Sequence, residues 1–413
     1  MNQPTPHPLL AASAGSLSGV VVLDLSRVLA GPYAGSMLAD LGATVVKIEN
    51  PADPDVSRGF PPYLRHGDEE VSGYYGQYNR GKLGLALDLA SDEGKAVLKD
   101  LVANADMLIE NFRPGTMAKL GVSYETLAEI NPRLVYLAIS GYGQTGYRSR
   151  RPAFDNTAQA AGGIWSMTGY ADQPPVRVGV TIGDLSASLF GVIGALAALR
   201  HAEATGVGQL VDVAQVDSII AMTETAVVDY TVEGKIARPN GNAHAWVRPY
   251  ELFPCADGQV FFGAYTDKLW RASCGLFGTP EVASDPEIDT MRKRFDPEVY
   301  ERRVKPIVLA WFADRTRAEL EELAGDLIPL TAVRDIGEVV DEPGTAEREM
   351  VVEADYGEFG TLRMFGQPIK LSATPATPAR PANRMGEHAD IVLAGLAGYD
   401  QERIDALRAG GVV

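Results

Sequence analysis

The chain has 413 residues, 46% of them hydrophobic and 22% charged, with a formal net charge of −17. That length predicts two or three domains whose cores need neither metal nor disulfide. The acidity argues against nucleic acid and anionic membranes as partners. Cys255 and Cys274 have no ligand or CxxC spacing, and the histidines form no metal-binding pattern. No apolar run reads as long enough to span a membrane. Met1–Ser18 lacks the basic and apolar regions of a signal peptide, so it reads as a flexible arm on a cytoplasmic protein.

Val20–Leu25 is a nearly continuous apolar run, as expected of a strand covered on both faces. Ser26–Pro32 turns, and Gly31-Pro32 opens a helix through Leu41, because proline's missing N–H costs nothing in a first turn. Ala43–Glu49 is the second strand. The loop between them is not G-x-G-x-x-G, which argues against NAD or FAD. Leu83–Leu89 is a strand, Ser91–Ala103 a helix and Met107–Glu110 a strand. Asn111–Gly115 is a loop before a short helix from Thr116, which carries Lys119. Ser123–Ile130 is helical and Leu134–Ile139 is the next strand. Such βαβα alternation predicts a doubly wound parallel sheet. Its ligand belongs at the carboxyl ends of the strands, in loops 27–32, 111–115 and 140–146.

Pro174–Gly183 reads as a strand-like run ending in glycine, with a helix over Ser186–Arg200. Asp184 stands at that junction. Spacing alone leaves two roles open: a cap accepting backbone N–H bonds, or a nucleophile facing a cleft. A strand and helix then run from Val207 to about Tyr230. Gly234–Val247 is a linker and active-site loop. Arg248–Phe253 and Gln259–Phe262 form a hairpin across Asp257-Gly258. Helices follow at Asp267–Phe277, Pro297–Ala313 and Arg317–Ala324. Pro329–Val333 begins the return. Short strands lie at Val351–Glu353, Thr361–Met364 and Pro368–Leu371, and the proline-rich Thr374–Arg384 leads toward a last helix, Tyr399–Ala409.

Several stretches together identify a family. LDLSRVLAGPYAGSMLADLGATVVKIENP, YNRGKLGLALDL, ENFRPGTMAKLG, INPRLVYLAISGYGQTG, PPVRVGVTIGDLSASLFGVIGALAAL and MGEHADIVLAGLAGYDQERIDAL occur in this order. The chain resembles the class III CoA-transferases, the formyl-CoA/oxalate and carnitine CoA-transferase family, over nearly its whole length. The resemblance implies an α/β, Rossmann-like doubly wound parallel sheet at 19–225. It implies a smaller α+β domain at 226–330 and a C-terminal segment at 331–413 returning to the large domain. It also implies two chains interlocked as a homodimer. CoA or acyl-CoA would enter as substrate, with no permanent cofactor.

Residue by residue, the resemblance places the catalytic nucleophile at Asp184. CoA contacts fall on Val28, Leu29, Ala30, Leu87, Asn111, Phe112, Arg113 and Lys119. Asn50 stands where some members have an arginine facing the nucleotide. Phe262–Tyr265, with the single glycine Gly263, lies roughly where several members carry a glycine-rich lid. An acyl pocket would draw on Tyr142, Gln144, His244, Arg248 and Gly263, with Arg177 and Trp246 as further candidates. Gly141, Gly143 and Gly263 could supply oxyanion N–H groups. The expected chemistry forms an aspartyl anhydride and then an aspartyl-CoA thioester, the acceptor being a small dicarboxylate. An arginine would clamp its second carboxylate. Racemases of the same superfamily instead need an acid/base pair, with a histidine where this chain has Phe154. Phe154 carries no proton, which favours transfer, and Asp155 reads as a turn or cap residue. A non-catalytic CoA-binding protein is the remaining alternative.

Overall fold

The computed structural model describes residues 8–10, 15–376 and 380–413. Of the expected arm, residues 1–7 and 11–14 lie outside the described residues, whereas Leu17 is buried in the core. The chain forms two compact units. The first takes in the described residues through Ile164, Arg177–Val227 and Gly344–Val413. The second takes in Trp165–Val176 and Val228–Pro343.

The first unit is built on six parallel strands. They are β1 (Val21–Asp24), β2 (Thr44–Glu49), β3 (Leu83–Ala86), β4 (Met107–Glu110), β5 (Val135–Ser140) and β6 (Leu210–Ala214). Their spatial order is β3-β2-β1-β4-β5-β6. Every residue of β4 and β5 is buried, which is why these strands read as apolar runs up to their last residues, Glu110 and Ser140. Alternate side chains feed two cores. Leu108, Tyr136 and Ala138 pack on one face, and Met107, Val135 and Leu137 on the other. Helices α1 (Ala30–Asp40), α2 (Gly73–Asn79), α3 (Asp92–Val102), α4 (Asp155–Ala161), α5 (Ile182–Thr205) and α6 (Gln215–Ala221) complete the layers. The chain leaves β3 and crosses to the far side of β1 to form β4. The loops after β1 and β4 therefore diverge to opposite faces, which is the crevice where such sheets take ligands.

The run Pro174–Val180 is not a strand. No sheet edge receives it. Within the first unit its backbone groups go instead to the buried Gln159 side chain, which accepts from Val178 N at 3.1 Å and donates to Val180 O at 3.3 Å. Helix α5 starts four residues earlier than expected and ends at Gly206, which has φ 76°. Contrary to the reading that no run spans a membrane, α5 is long and apolar enough to do so by length and composition. Half of its most apolar window is buried in the unit. The helix expected to run to Tyr230 breaks after α6 and resumes at Ala226–Glu233, with Glu224 between them at φ 54°.

The second unit holds an antiparallel sheet of β7 (Glu251–Cys255), β8 (Gly258–Phe262) and β9 (Leu330–Ala332), in the order β9-β8-β7. The hairpin forms as expected. Leu330–Ala332 does not begin the return, because it closes this sheet, and Phe253, Phe262, Trp270, Trp311 and Phe312 fill the core beneath. In the C-terminal part, β10 (Val351–Asp355) pairs with β11 (Thr361–Phe365), and Pro368–Leu371 is not a strand. Residues 380–388 strap the open edge of the large sheet. Gly81 N donates to Arg380 O, His388 N to Gly84 O, and Gly84 N to His388 Nδ1. A Cβ on Gly84 would lie 2.4 Å from Arg384 O, so the strap needs glycine there. Helices α7 (Ala389–Leu396) and α8 (Gln401–Ala409) follow the strap. Val392, Leu393, Ile404 and Leu407 from them complete one of the two large cores.

Candidate active site

Beneath the loop after β1 lies a buried charge network. Lys82 Nζ donates to Asp24 Oδ2 at 2.7 Å, to Pro32 O and to Asn79 Oδ1. Lys47 Nζ donates to Ser26 O and to Asp55 Oδ2. All four charged groups are fully enclosed. Burial alone would raise Asp24, but the Lys82 and Lys47 charges and hydrogen bonds from Lys82 and Ser26 outweigh it and hold the carboxyl below its ordinary range. Burial brings Lys82 down to about 8, against the pull of Asp24. At neutral pH both partners are therefore ionised. Asp55 accepts Val28 N with both oxygens. This holds Val28 at φ 69°, a conformation that β-branched residues avoid. The strained loop thus sits on a rigid floor.

Asn111, the first residue after β4, ties this loop across the crevice. Its Oδ1 accepts Arg27 N and its Nδ2 donates to Arg27 O, both at 2.8 Å. A cavity of about 160 Å³ opens beside this bond and includes Arg27, Asn50, Asp53, Phe112 and Leu120 in its lining. Val28, Leu29, Ala30, Asn111 and Phe112 thus gather at one crevice. Arg113 and Lys119 are exposed next to them and form no ion pair among the described residues. Leu87 is fully buried in the core, so only its backbone can face a ligand. Glu110, buried at the end of β4, is pushed up to about 7 by burial, against hydrogen bonds from Phe112 N and Tyr136.

Asp184 lies in the first turn of α5 and is half-buried. It does not cap its helix. Asp155 does, accepting Gly183 N at 2.7 Å and Gln159 Nε2 at 2.7 Å. A Cβ on Gly183 would meet Asp155 Oδ1 at 2.9 Å, so the glycine before Asp184 makes room for that carboxylate. One turn on, Ser188 Oγ donates to Asp184 O and to Ala30 O, at 2.8 and 2.7 Å. This bond joins the expected nucleophile's helix directly to the expected CoA loop. Asp184 Oδ1 accepts from Gln215 Nε2, the first residue of α6. Burial and the Asp155 charge push Asp184 up to about 7, partly offset by that hydrogen bond. A helix N-terminus favours an ionised carboxylate, but burial and the Asp155 charge leave Asp184 only partly ionised at neutral pH.

An aromatic cluster forms beside Asp184. Tyr74 and Tyr78 share one face of α2, and both are raised by burial and by the Asp184 charge. Their rings lie 5.0 Å apart, and Tyr33 and Phe365 extend the cluster. Tyr142 packs against Ala158, Val216 and Ile219. Gln144 donates its backbone N–H to Asp212, and its Nε2, like Ser140 Oγ, is buried without a hydrogen-bond partner among the described residues. Arg177 is exposed and donates to Gly179 O.

The other expected pocket residues belong to the second unit. There, His244 Nδ1 accepts Trp246 N and Val247 N, which puts the ring proton on Nε2. Trp246, Tyr250, Tyr265 and Phe295 surround it in a pocket of about 310 Å³. Arg248 stacks over Tyr300 and has no carboxylate partner among the described residues. Gly263 donates its N–H to Pro329 O, so that donor is occupied.

Sequence reasoning missed Tyr74, Tyr78, Gln159, Ser188 and Gln215. Tyr74 and Tyr78 had a signal, an i, i+4 pair just ahead of the Asn79-Arg80-Gly81-Lys82 turn. Gln215 had none, because its partner is 31 residues away.

Known proteins are similar to this chain over most of its length. The chain is 39% identical over 380 residues to a succinyl-CoA:mesaconate CoA-transferase of Haloarcula hispanica, covering 91% of this chain and 94% of that one. It is 35% identical over 384 residues to a succinate–glutarate CoA-transferase of Agrobacterium fabrum, covering 92% and 95%. A crystal structure of a CAIB/BAIF family protein from Brucella suis superposes with a TM-score of 0.81 at 31% identity, covering 92% of this chain and 99% of that one. The sequence profile of CoA-transferase family III matches residues 17–389. With that match spanning both units and the Asp184 crevice, the chain belongs to CoA-transferase family III.

Proposed function

We propose that this transferase moves CoA from succinyl-CoA to a small dicarboxylic acid through covalent intermediates on Asp184. The observation that carries the reading is the Ser188 bond to Ala30 O. It sets Asp184 one turn from the loop expected to hold CoA. Val28, Leu29, Ala30, Asn111 and Phe112 shape the CoA crevice, Leu87 faces it through its backbone, and Arg113 and Lys119 offer charge for the phosphates. Relatives named for succinyl-CoA, mesaconate, succinate and glutarate support the choice of acids.

In the cycle, an Asp184 oxygen attacks the donor thioester, and the collapsing adduct expels CoA thiolate, leaving a mixed anhydride. The thiolate attacks the aspartyl carbonyl and releases the donor acid, which leaves an aspartyl-CoA thioester. The acceptor carboxylate attacks that thioester and expels the thiolate, which then takes the acceptor's acyl group and frees Asp184. No step needs a proton donor, which fits Asp155 being committed to Gly183 and Gln159 rather than poised as an acid/base partner. The Tyr33, Tyr74 and Tyr78 rings help to keep water from the hydrolysable intermediates. Homodimerisation is part of the proposal. Leu189, Phe190 and Ile193 of α5 are exposed, a strip of apolar surface suited to a second copy.

Mass spectrometry of enzyme mixed with succinyl-CoA should find a CoA adduct on the Asp184 peptide, and Asp184→Ala should abolish transfer while the fold and CoA binding persist. Turnover by that variant would overturn the assignment. An acceptor screen should rank small dicarboxylates above monocarboxylates.

A further inference from the structure

We infer that Gln215 is a catalytic residue, whose side-chain N–H stabilises the oxyanion formed on Asp184 Oδ1 when the aspartyl carbonyl is attacked. The inference rests on the covalent reading of Asp184. Gln215 is buried, and its Nε2 already donates to Oδ1. The other oxygen, Oδ2, is left for attack on the donor thioester.

Two steps of the cycle occur at Asp184 Cγ. In the first, the thiolate sulfur bonds to Cγ of the anhydride and the carbonyl pair moves onto Oδ1. Collapse restores the carbonyl and breaks the Cγ–Oδ2 bond, and the donor carboxylate leaves with its electrons. In the second, the acceptor carboxylate bonds to Cγ of the thioester, the pair again moves onto Oδ1, and collapse expels the thiolate. Oδ1 is therefore a carboxylate, a carbonyl or an oxyanion in turn, and an acceptor throughout. A carboxamide N–H is a donor throughout, so one bond serves every state and is strongest when Oδ1 bears full charge.

The local backbone leaves this task to a side chain. Gly183 N is taken by Asp155 and Leu185 N by Thr181 O. Gln215 is held rigidly enough to perform it. It starts α6 straight from β6, and Val216 N donates to Gly141 O at 3.1 Å, fixing the helix start against the loop after β5. The donor is in place before substrate arrives, as an electrostatic catalyst requires.

The test uses the full-length enzyme with succinyl-CoA in rapid-quench single turnovers, read as the CoA adduct on the Asp184 peptide. Gln215→Leu and Gln215→Met both remove the donor, and Met keeps nearly the original volume, so at least one folded variant is expected. Adduct formation should slow roughly 100-fold, the loss expected for one oxyanion donor, with KM for succinyl-CoA within about threefold of wild type. Absence of an adduct in the wild-type enzyme overturns the covalent reading itself. A wild-type adduct together with a near-normal rate in the folded variant overturns the role of Gln215 alone.

Discussion

Asp155 accepts the backbone N–H of Gly183 at 2.7 Å, one residue before Asp184. A cap for helix α5 thereby places a second negative charge beside the proposed nucleophile. Burial and that charge push Asp184 up to about 7.

Only the ionised carboxylate attacks, so kcat/KM should climb with pH through about 7 and level off above it. Asp155→Asn keeps an oxygen for Gly183 N and removes the charge. Its acid limb should move to lower pH. Rate profiles from pH 5.5 to 9, a range of about 3.5 units set to bracket this limb, check the coupling; an unmoved limb would refute it.

The same shift predicts a stability effect with a defined sign. A carboxyl whose pKa is about 7 when folded, against its ordinary value of 3.8, binds its proton more tightly in the folded state. Stability is therefore lost as pH rises from about 4 through about 7, and the full penalty persists above. Asp184→Asn removes the penalty and should stabilise the fold by about 2 kcal/mol at pH 8, less at pH 5. Denaturant unfolding at both pH values measures the difference. An equal gain at both would rule out the titration as its source.

Lys82 and Asp24 are expected to behave as one unit. Lys82→Met strands the Asp24 carboxylate and should cost about 3–5 kcal/mol. The neutral pair Asp24→Asn with Lys82→Gln retains donor and acceptor and should recover more than half of that loss. A double-mutant cycle with additive terms would show that the pair is uncoupled.

Gly84→Ala should lift the strap from β3, because its Cβ would lie 2.4 Å from Arg384 O and 2.6 Å from Asn383 Oδ1. We expect a loss of about 1–3 kcal/mol, with faster amide exchange across residues 380–388. Unchanged exchange there would mean that the strap accommodates the methyl group.

Much of the large sheet was legible because a strand buried on both faces must be mostly apolar, as β4 and β5 are up to their final Glu110 and Ser140. Asp184 stood out because a lone carboxylate opens a long apolar helix. The run before it misled, since alternating Val176, Val178 and Val180 imitate a strand while their backbone neighbours are satisfied by a side chain, that of Gln159. Tyr74 and Tyr78 sit on a helix of only seven residues, too short for a period to emerge. Leu330–Ala332 is three residues long and becomes a strand only through β8. Gln215 carries no local mark at all, because its significance is entirely tertiary.

The strap also sets an order of events during synthesis. Residues 380–388 and the two helices after them are made only once the whole of the second unit has been synthesised. Until then β3 presents an unpaired edge, and the core that takes in Val392, Leu393, Ile404 and Leu407 lies open. The nascent chain can finish its second unit on its own, but the large parallel sheet closes its edge only after the strap has been made.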